Sequence, residues 1–246
     1  LIAAPPDYSA LRERVLAWQA SVWTWIAEAV WTLVEAAAAT GDPMRPFPVA
    51  ACGGCRTYHG GATWRAGAGC PGCGGGLMEL IYLRALAERW QAGVPPVLLI
   101  PKPRRMRLSW LMVACHLWLC LFRPGAKAFL VSSKESKSAE LIERAAYILT
   151  AVTDPRGAGC PPGLLPAWTH VLSPPSIRFP ELGSALIGVA EGPDQLRQYT
   201  ATAIFGDEIG TWTWPRATYA AMLPCAEGGG RVTLVSSAYP GFWRQL

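Results

Sequence analysis

Two short stretches of this chain combine residue types that do phosphate chemistry. Val97–Trp110, VLLIPKPRRMRLSW, is an apolar run that breaks at Pro101 into a basic loop and resumes as an apolar helix at Ser109. Ala201–Gly210, ATAIFGDEIG, is a second apolar run that ends in the adjacent acids Asp207 and Glu208. A strand, a basic loop and a helix N-terminus suit a phosphate, because the loop wraps it and the helix end attracts negative charge. Lys102, or one of Arg104, Arg105 and Arg107, would offset charge on the β- and γ-phosphates, with Met106, Leu108 and Trp110 completing the loop and first helical turn. Ser109 would ligate magnesium, Asp207 would hold that ion through water, and Glu208 would orient and polarise an attacking water. Alone, an Asp-Glu pair is often a solvated loop, and a basic loop is often mere surface. Their order and their spacing of about a hundred residues favour the joint reading, a P-loop ATP hydrolase.

A second constellation is Cys52-Gly-Gly-Cys55, fourteen residues, then Cys70-Pro-Gly-Cys73. Two such knuckles at this separation suit a tetrahedral zinc ribbon, with Gly53, Gly54 and Gly72 easing the turns that aim both thiolate pairs at one metal. The intervening RTYHGGATWRAGAG suits a short β-hairpin, and its His59 is not needed as a ligand. Cys115, Cys120, Cys160 and Cys225 are scattered, as small core residues are. This is cysteine usage for a reducing compartment rather than a disulfide scaffold.

These groups need elements to position them. Residues 7–39 read as helix, with Leu11, Val15, Trp18, Val22, Ile26, Val30 and Leu33 recurring at three or four. The cysteine module follows over 46–76, and an α/β unit over 77–246 opens with a helix from Leu77 to Gln91. Strands are expected at 97–100, 128–131, 170–172, 177–179, 185–189, up to Asp207, and at 231–235. Helices are expected at 109–122, 134–149 and after Pro215, with a Pro/Gly-rich loop over 154–166. Strands alternating with helices imply a doubly wound, mostly parallel sheet, whose strand ends gather ligands. Three polar clusters then converge, at 102–109, 207–208 and 236–238.

Half of the 246 residues are hydrophobic, so a large core is expected; the net charge of +5 is compatible with nucleic acid without requiring it. Val15–Leu33 is interrupted by Gln19 and Glu28, and Leu108–Phe122 is short of the roughly 20 residues that a span needs, so no membrane segment is expected. The chain begins at Leu1, as a fragment would, and Leu1–Pro6 lacks the basic start of a signal peptide.

Residues 77–246 resemble the large terminase subunits of tailed phages, the motors that package DNA. PKPRRMRLSW is similar to their deviant Walker A, in some of which the phosphate-binding lysine opens the loop, where Lys102 stands. EGPDQLRQYT and ATAIFGDEIG are similar to the stretch entering Walker B, and RVTLVSSAYPGFW to the coupling motif. The resemblance implies a RecA/ASCE-like fold and a coupling role for Ser236, Ser237 and Ala238. It implies that Arg197, eleven residues before Glu208, acts in trans as a finger on a neighbour's ATP. The implied cofactors are ATP and magnesium; the implied partners are double-stranded DNA, sibling subunits in a ring, a portal protein and a small subunit, in the cytoplasm of a bacterial host. Where the family has glycine and glutamine, this loop has Arg107 and Arg105. The chain ends just after the coupling motif, so no nuclease is expected in it. Two other readings remain: a helicase-like ATPase, and a zinc-ribbon binding protein on a P-loop fold that no longer turns over.

Overall fold

Runs of apolar residues too short for helices form one sheet, and the longer apolar stretches cover it. The computed structural model describes residues 50–52, 54–55, 58–59, 69–75, 77–79, 86–87, 89–90, 93, 96–102, 108–153 and 171–246. The expected helix at 7–39 and the loop at 154–166 lie outside these residues.

In chain order the elements are β1 (Ala50–Cys52), β2 (Tyr58–His59), β3 (Leu77–Glu79), β4 (Val97–Pro101), α1 (Leu108–Phe122), β5 (Lys127–Ser132) and α2 (Glu135–Thr153). There follow β6 (Val171–Ser173), β7 (Ser176–Phe179), β8 (Ser184–Ala190), β9 (Ala203–Asp207), α3 (Pro215–Ala226) and β10 (Arg231–Ser236). The seven-stranded sheet has the order β4-β10-β9-β5-β8-β7-β6. From β4 to β8 the strands are parallel, and β7 and β6 add an antiparallel edge. Every residue of β9 is buried, as are all but the first of β5 and β10. That pattern marks strands covered on both faces, as parallel sheets are.

Alternate residues sort the two covers. Leu130 and Phe205 face the cluster built with α1 and α2, whereas Phe129, Ile204 and Leu234 face Met222 and Cys225 of α3. Twelve of the fifteen residues of α1 are buried, so this helix is apolar all round because it is enclosed all round. Its buried His116 donates from Nδ1 to the Met112 carbonyl, 2.7 Å away, and packs between Trp90 and Phe205. Burial first, and Arg231 nearby, push that imidazole down to about 4. No helix among the described residues is long and apolar enough to cross a membrane.

One expectation needs correction. Leu77–Glu79, expected to open a helix, is instead a strand that pairs antiparallel with Ala50–Cys52. Helical residues appear later, at 86–87 and 89–90, where Leu86 and Trp90 reach the core. The apolar spacing from Leu80 onward reads as helix, but three residues after a glycine run complete the open edge of β1 instead. Likewise Tyr58–His59, in the interval between the knuckles, pairs back onto Ala50–Ala51.

Candidate functional site

The sheet brings its polar strand ends to one level. In the parallel register Val235 lies beside Asp207, and Ser236 beside Pro101. Backbone bonds then lock the segments leaving the strands: Lys102 N–H donates to the Ser236 carbonyl at 2.9 Å, and Glu208 N–H to the Val235 carbonyl at 2.7 Å. The side chains meet above this point. Lys102 Nζ donates to Glu208 Oε1 at 2.8 Å, and Ser237 N–H lies 3.3 Å from Glu208 Oε2. Ser109 Oγ donates to Asp207 Oδ1 at 2.9 Å. Five of the residues singled out from sequence thus form two hydrogen-bonded groups joined at the Asp207–Glu208 peptide, although Lys102 and Glu208 are 106 positions apart.

The turn after β9 has an unusual backbone. Glu208 takes φ 55° and ψ 43°, the left-handed conformation that side chains beyond glycine, Asn and Asp rarely adopt. Such a residue costs on the order of 1–3 kcal/mol unless its surroundings hold it. Lys102, Ser237 and Val235 do so, and the conformation turns the carboxylate back over the end of β10. Trp212 Nε1 donates to the Asp207 carbonyl at 3.0 Å, and Gly210 N–H donates to Ser236 Oγ at 3.0 Å. Glu191 fastens the next segment, accepting from the N–H groups of Thr213 at 2.6 Å and Trp214 at 2.7 Å.

The two acids differ electrostatically. Burial pushes the Asp207 carboxyl up, although Lys102 and the Ser109 hydroxyl pull the other way. Burial also works to raise Glu208, but the Lys102 bond and charge and the Ser237 N–H outweigh it, so its net shift is downward. A buried carboxylate already bonded to a hydroxyl, whose nearest lysine is engaged by a second acid, is a setting that a divalent cation fits. Ser109 and Asp207 are the residues that could hold one.

No protein-family model matches the sequence, and no curated protein matches it. Among solved structures, a variant of the large terminase ATPase domain of Thermus phage P74-26 matches with TM-score 0.51 at 12% identity, covering 65% of this chain and 67% of that one. The large terminase of bacteriophage HK97 matches with TM-score 0.50 at 12% identity, over 72% of this chain. The fold is that of a phage large-terminase ATPase domain. The match covers just over a third, 36%, of the HK97 terminase chain.

Within this terminase ATPase fold, the remaining expected site residues make contacts of other kinds. Leu108 is buried in the core and packs rather than facing the site. Trp110 is half-buried against Tyr147 and Arg144 of α2. Ser236 is fully buried, and Ala238 is exposed. Arg197 stands apart from the acid pair: its side chain is 68% exposed, paired with Asp194 at 3.2 Å, and lines a groove of about 540 Å³ with Tyr199, Ala217 and Pro224. Arg104, Arg105, Met106 and Arg107 lie outside the described residues.

The four cysteines converge. Their sulfurs all lie within 4.8 Å of one another, with Cys52 and Cys73 3.5 Å apart and Cys55 and Cys70 3.6 Å apart. Zinc–sulfur bonds of about 2.3 Å set tetrahedral sulfur–sulfur edges of about 3.8 Å, so the cluster fits that ion. None of the four forms a disulfide, and Gly54 N–H points at Cys52 Sγ, 3.3 Å away. A side chain at Gly75 would press to 3.2 Å from Cys52 Sγ and 3.3 Å from Cys73 Sγ, which explains glycine there.

Sequence reasoning missed Gly206, Glu191, Trp212 and Arg144. Gly206 alone carried a signal, a glycine inside a strand, which marks close approach of a neighbour. A Cβ there would lie 2.7 Å from Leu234 Cδ2 and 3.0 Å from the Trp212 ring.

Proposed function

We propose that this chain is the ATPase part of a viral DNA-packaging motor, hydrolysing P-loop-bound ATP to move double-stranded DNA into a procapsid. The observation that carries this reading is the convergence of Lys102, Glu208 and Ser237 with Ser109 and Asp207 at the strand ends of a terminase ATPase fold.

In this reading Lys102, with the arginines of the 104–107 loop, binds the phosphates of ATP. Ser109 and Asp207 hold magnesium, which when bound neutralises developing phosphate charge. Glu208, a carboxylate at neutral pH, accepts a hydrogen bond from the attacking water and orients it. Lys102 and Glu208 hold one another until phosphate competes for the lysine, which leaves the carboxylate free to polarise water. Ser237 bonds the same carboxylate and Ser236 bonds the Gly210 amide, so a change at Glu208 is felt directly by the segment leaving β10. Those two serines, with Ala238, serve coupling.

Arg197 acts in trans, a role that suits its exposure and its distance from the acid pair in its own chain. The partners are sibling subunits in a ring, a portal protein and a small subunit, in the bacterial host cytoplasm. DNA would be gripped through its phosphates, as movement along any sequence requires. Cys52, Cys55, Cys70 and Cys73 hold a structural zinc in a module of its own, preceded by an N-terminal helical segment.

Magnesium-dependent ATP turnover, measured with and without double-stranded DNA beside a Glu208→Gln variant, tests this. Turnover that rises with DNA and falls at least about a hundredfold in the variant supports the motor. ATP binding without turnover, with DNA and ring assembly provided, would favour a P-loop binding protein that no longer hydrolyses.

A further inference from the structure

Arg144 belongs to α2, yet its guanidinium lies over the ring of Trp110, 5.6 Å from the centroid. Trp110 directly follows Ser109, whose hydroxyl bonds Asp207. Tyr147, almost one turn along α2, meets the same ring edge-on with centroids 6.0 Å apart. The two contacts hold Arg144 beside the first turn of α1. Its charge is felt at Asp207, where it opposes the effect of burial.

Arg144 is half-buried, and among the described residues it has no paired anion. A guanidinium taken partly out of water without a counter-charge is costly, and the ring face answers only part of that cost. No hydrogen bond among the described residues engages the guanidinium, whose fork of donors suits a planar or tetrahedral oxyanion. Among the described residues the other cation whose charge reaches Asp207 is Lys102, and it is already engaged by Glu208.

We propose that Arg144 is a second phosphate-binding cation of the nucleotide site, supplied by the same chain from α2 and directed at the terminal phosphate of ATP beside Ser109. This inference rests on the ATPase reading. It assigns the Trp110 ring a positioning role: the indole holds the guanidinium at the start of α1 rather than touching nucleotide.

The test is the affinity of the full chain for magnesium-ATP and for magnesium-ADP, measured for the parent, Arg144→Gln and Arg144→Lys, with melting temperature alongside. Losing one charge-assisted contact to a terminal phosphate predicts an ATP affinity about tenfold weaker in Arg144→Gln, with ADP changed by less than about threefold. Arg144→Lys should recover part of the ATP affinity, since the charge remains while the fork and the stack are lost. A structural role alone would weaken both nucleotides together. Equal losses for ATP and ADP, with or without a lower melting temperature, would overturn the proposal, and so would parent-like ATP affinity in Arg144→Gln. Should Arg144→Gln fail to fold, Arg144→Lys decides by the same comparison: a selective loss for ATP supports the proposal and an unselective or absent loss overturns it. A parent that binds no ATP would bring down the ATPase reading itself, and this inference with it; ATP binding that is indifferent to Arg144 would remove the inference alone.

Discussion

Replacing Lys102 with methionine separates the lysine's structural contribution from its functional one. The side chain is 8% exposed and donates to Glu208 at 2.8 Å, while Glu208 is 35% exposed. A charge-assisted bond contributes about 1.5–3 kcal/mol, but solvent reaching the Glu208 carboxylate reduces that toward about 1 kcal/mol. Methionine also spares the cost of burying an ammonium, which offsets part of the loss. Stability should therefore fall by about 1 kcal/mol or less, a melting shift of about 2–4 °C for a chain of this size. Nucleotide affinity should respond far more, because removing one partner of a buried charge contact to phosphate costs about 2–5 kcal/mol, at least about thirtyfold in Kd. The assay pairs thermal melting with titration of a fluorescent ATP analogue in magnesium. Parent-like affinity would refute the assignment of Lys102 to phosphate. A melting drop beyond about 10 °C would show instead that the Lys102–Glu208 pair ties the fold together.

Gly206→Ala should destabilise by about 1–3 kcal/mol in urea unfolding, because the added methyl collides with Leu234 and Trp212; unchanged stability would mean that both side chains yield freely. Glu208 has its carboxyl held below the usual range, so its stabilising contribution is complete above pH 4.5 and is lost as pH falls through the lowered value. Melting of the parent and of Glu208→Gln, compared from pH 3 to 7, should show a gap that is constant above about pH 5 and narrows below 4.5, and a gap independent of pH would contradict the pairing. Purified protein should carry about one zinc per chain, and Cys55→Ser should strip most of it; equal metal content in both would disprove the four-sulfur site.

Much of this arrangement is legible in the sequence, for local reasons. Val97–Ile100 and Ala203–Asp207 are too short for helices and too apolar for surface, and each stops at a residue that cannot be buried cheaply, Lys102 and Glu208. The knuckle spacing of the four cysteines carries its own geometry. Leu77–Glu79 is not legible as a strand because three residues leave no period to read, and its partner, Ala50–Cys52, is distant in sequence. Arg144 was invisible for another reason: its stack on Trp110 joins two helices, and nothing in either segment announces it. Strand order was hidden too, since parallel strands buried on both faces look alike, and only folding sets β10 between β4 and β9.

That insertion gives the cleft a measurable width. Neighbouring strands lie about 4.8 Å apart, so the lysine and glutamate strands, separated by β10, stand about 10 Å from one another. Side chains of that reach can just close the span, as the 2.8 Å contact shows, and the end of β10 becomes the floor beneath them. Ser236 is that floor: it is fully buried, and Gly210 sits so close that an added Cβ would come within 2.8 Å of the serine hydroxyl. A bulkier residue at either position would collide with the other and strain the turn that carries Glu208. The close packing beneath the charged pair thus depends on two small residues that carry none of its charge.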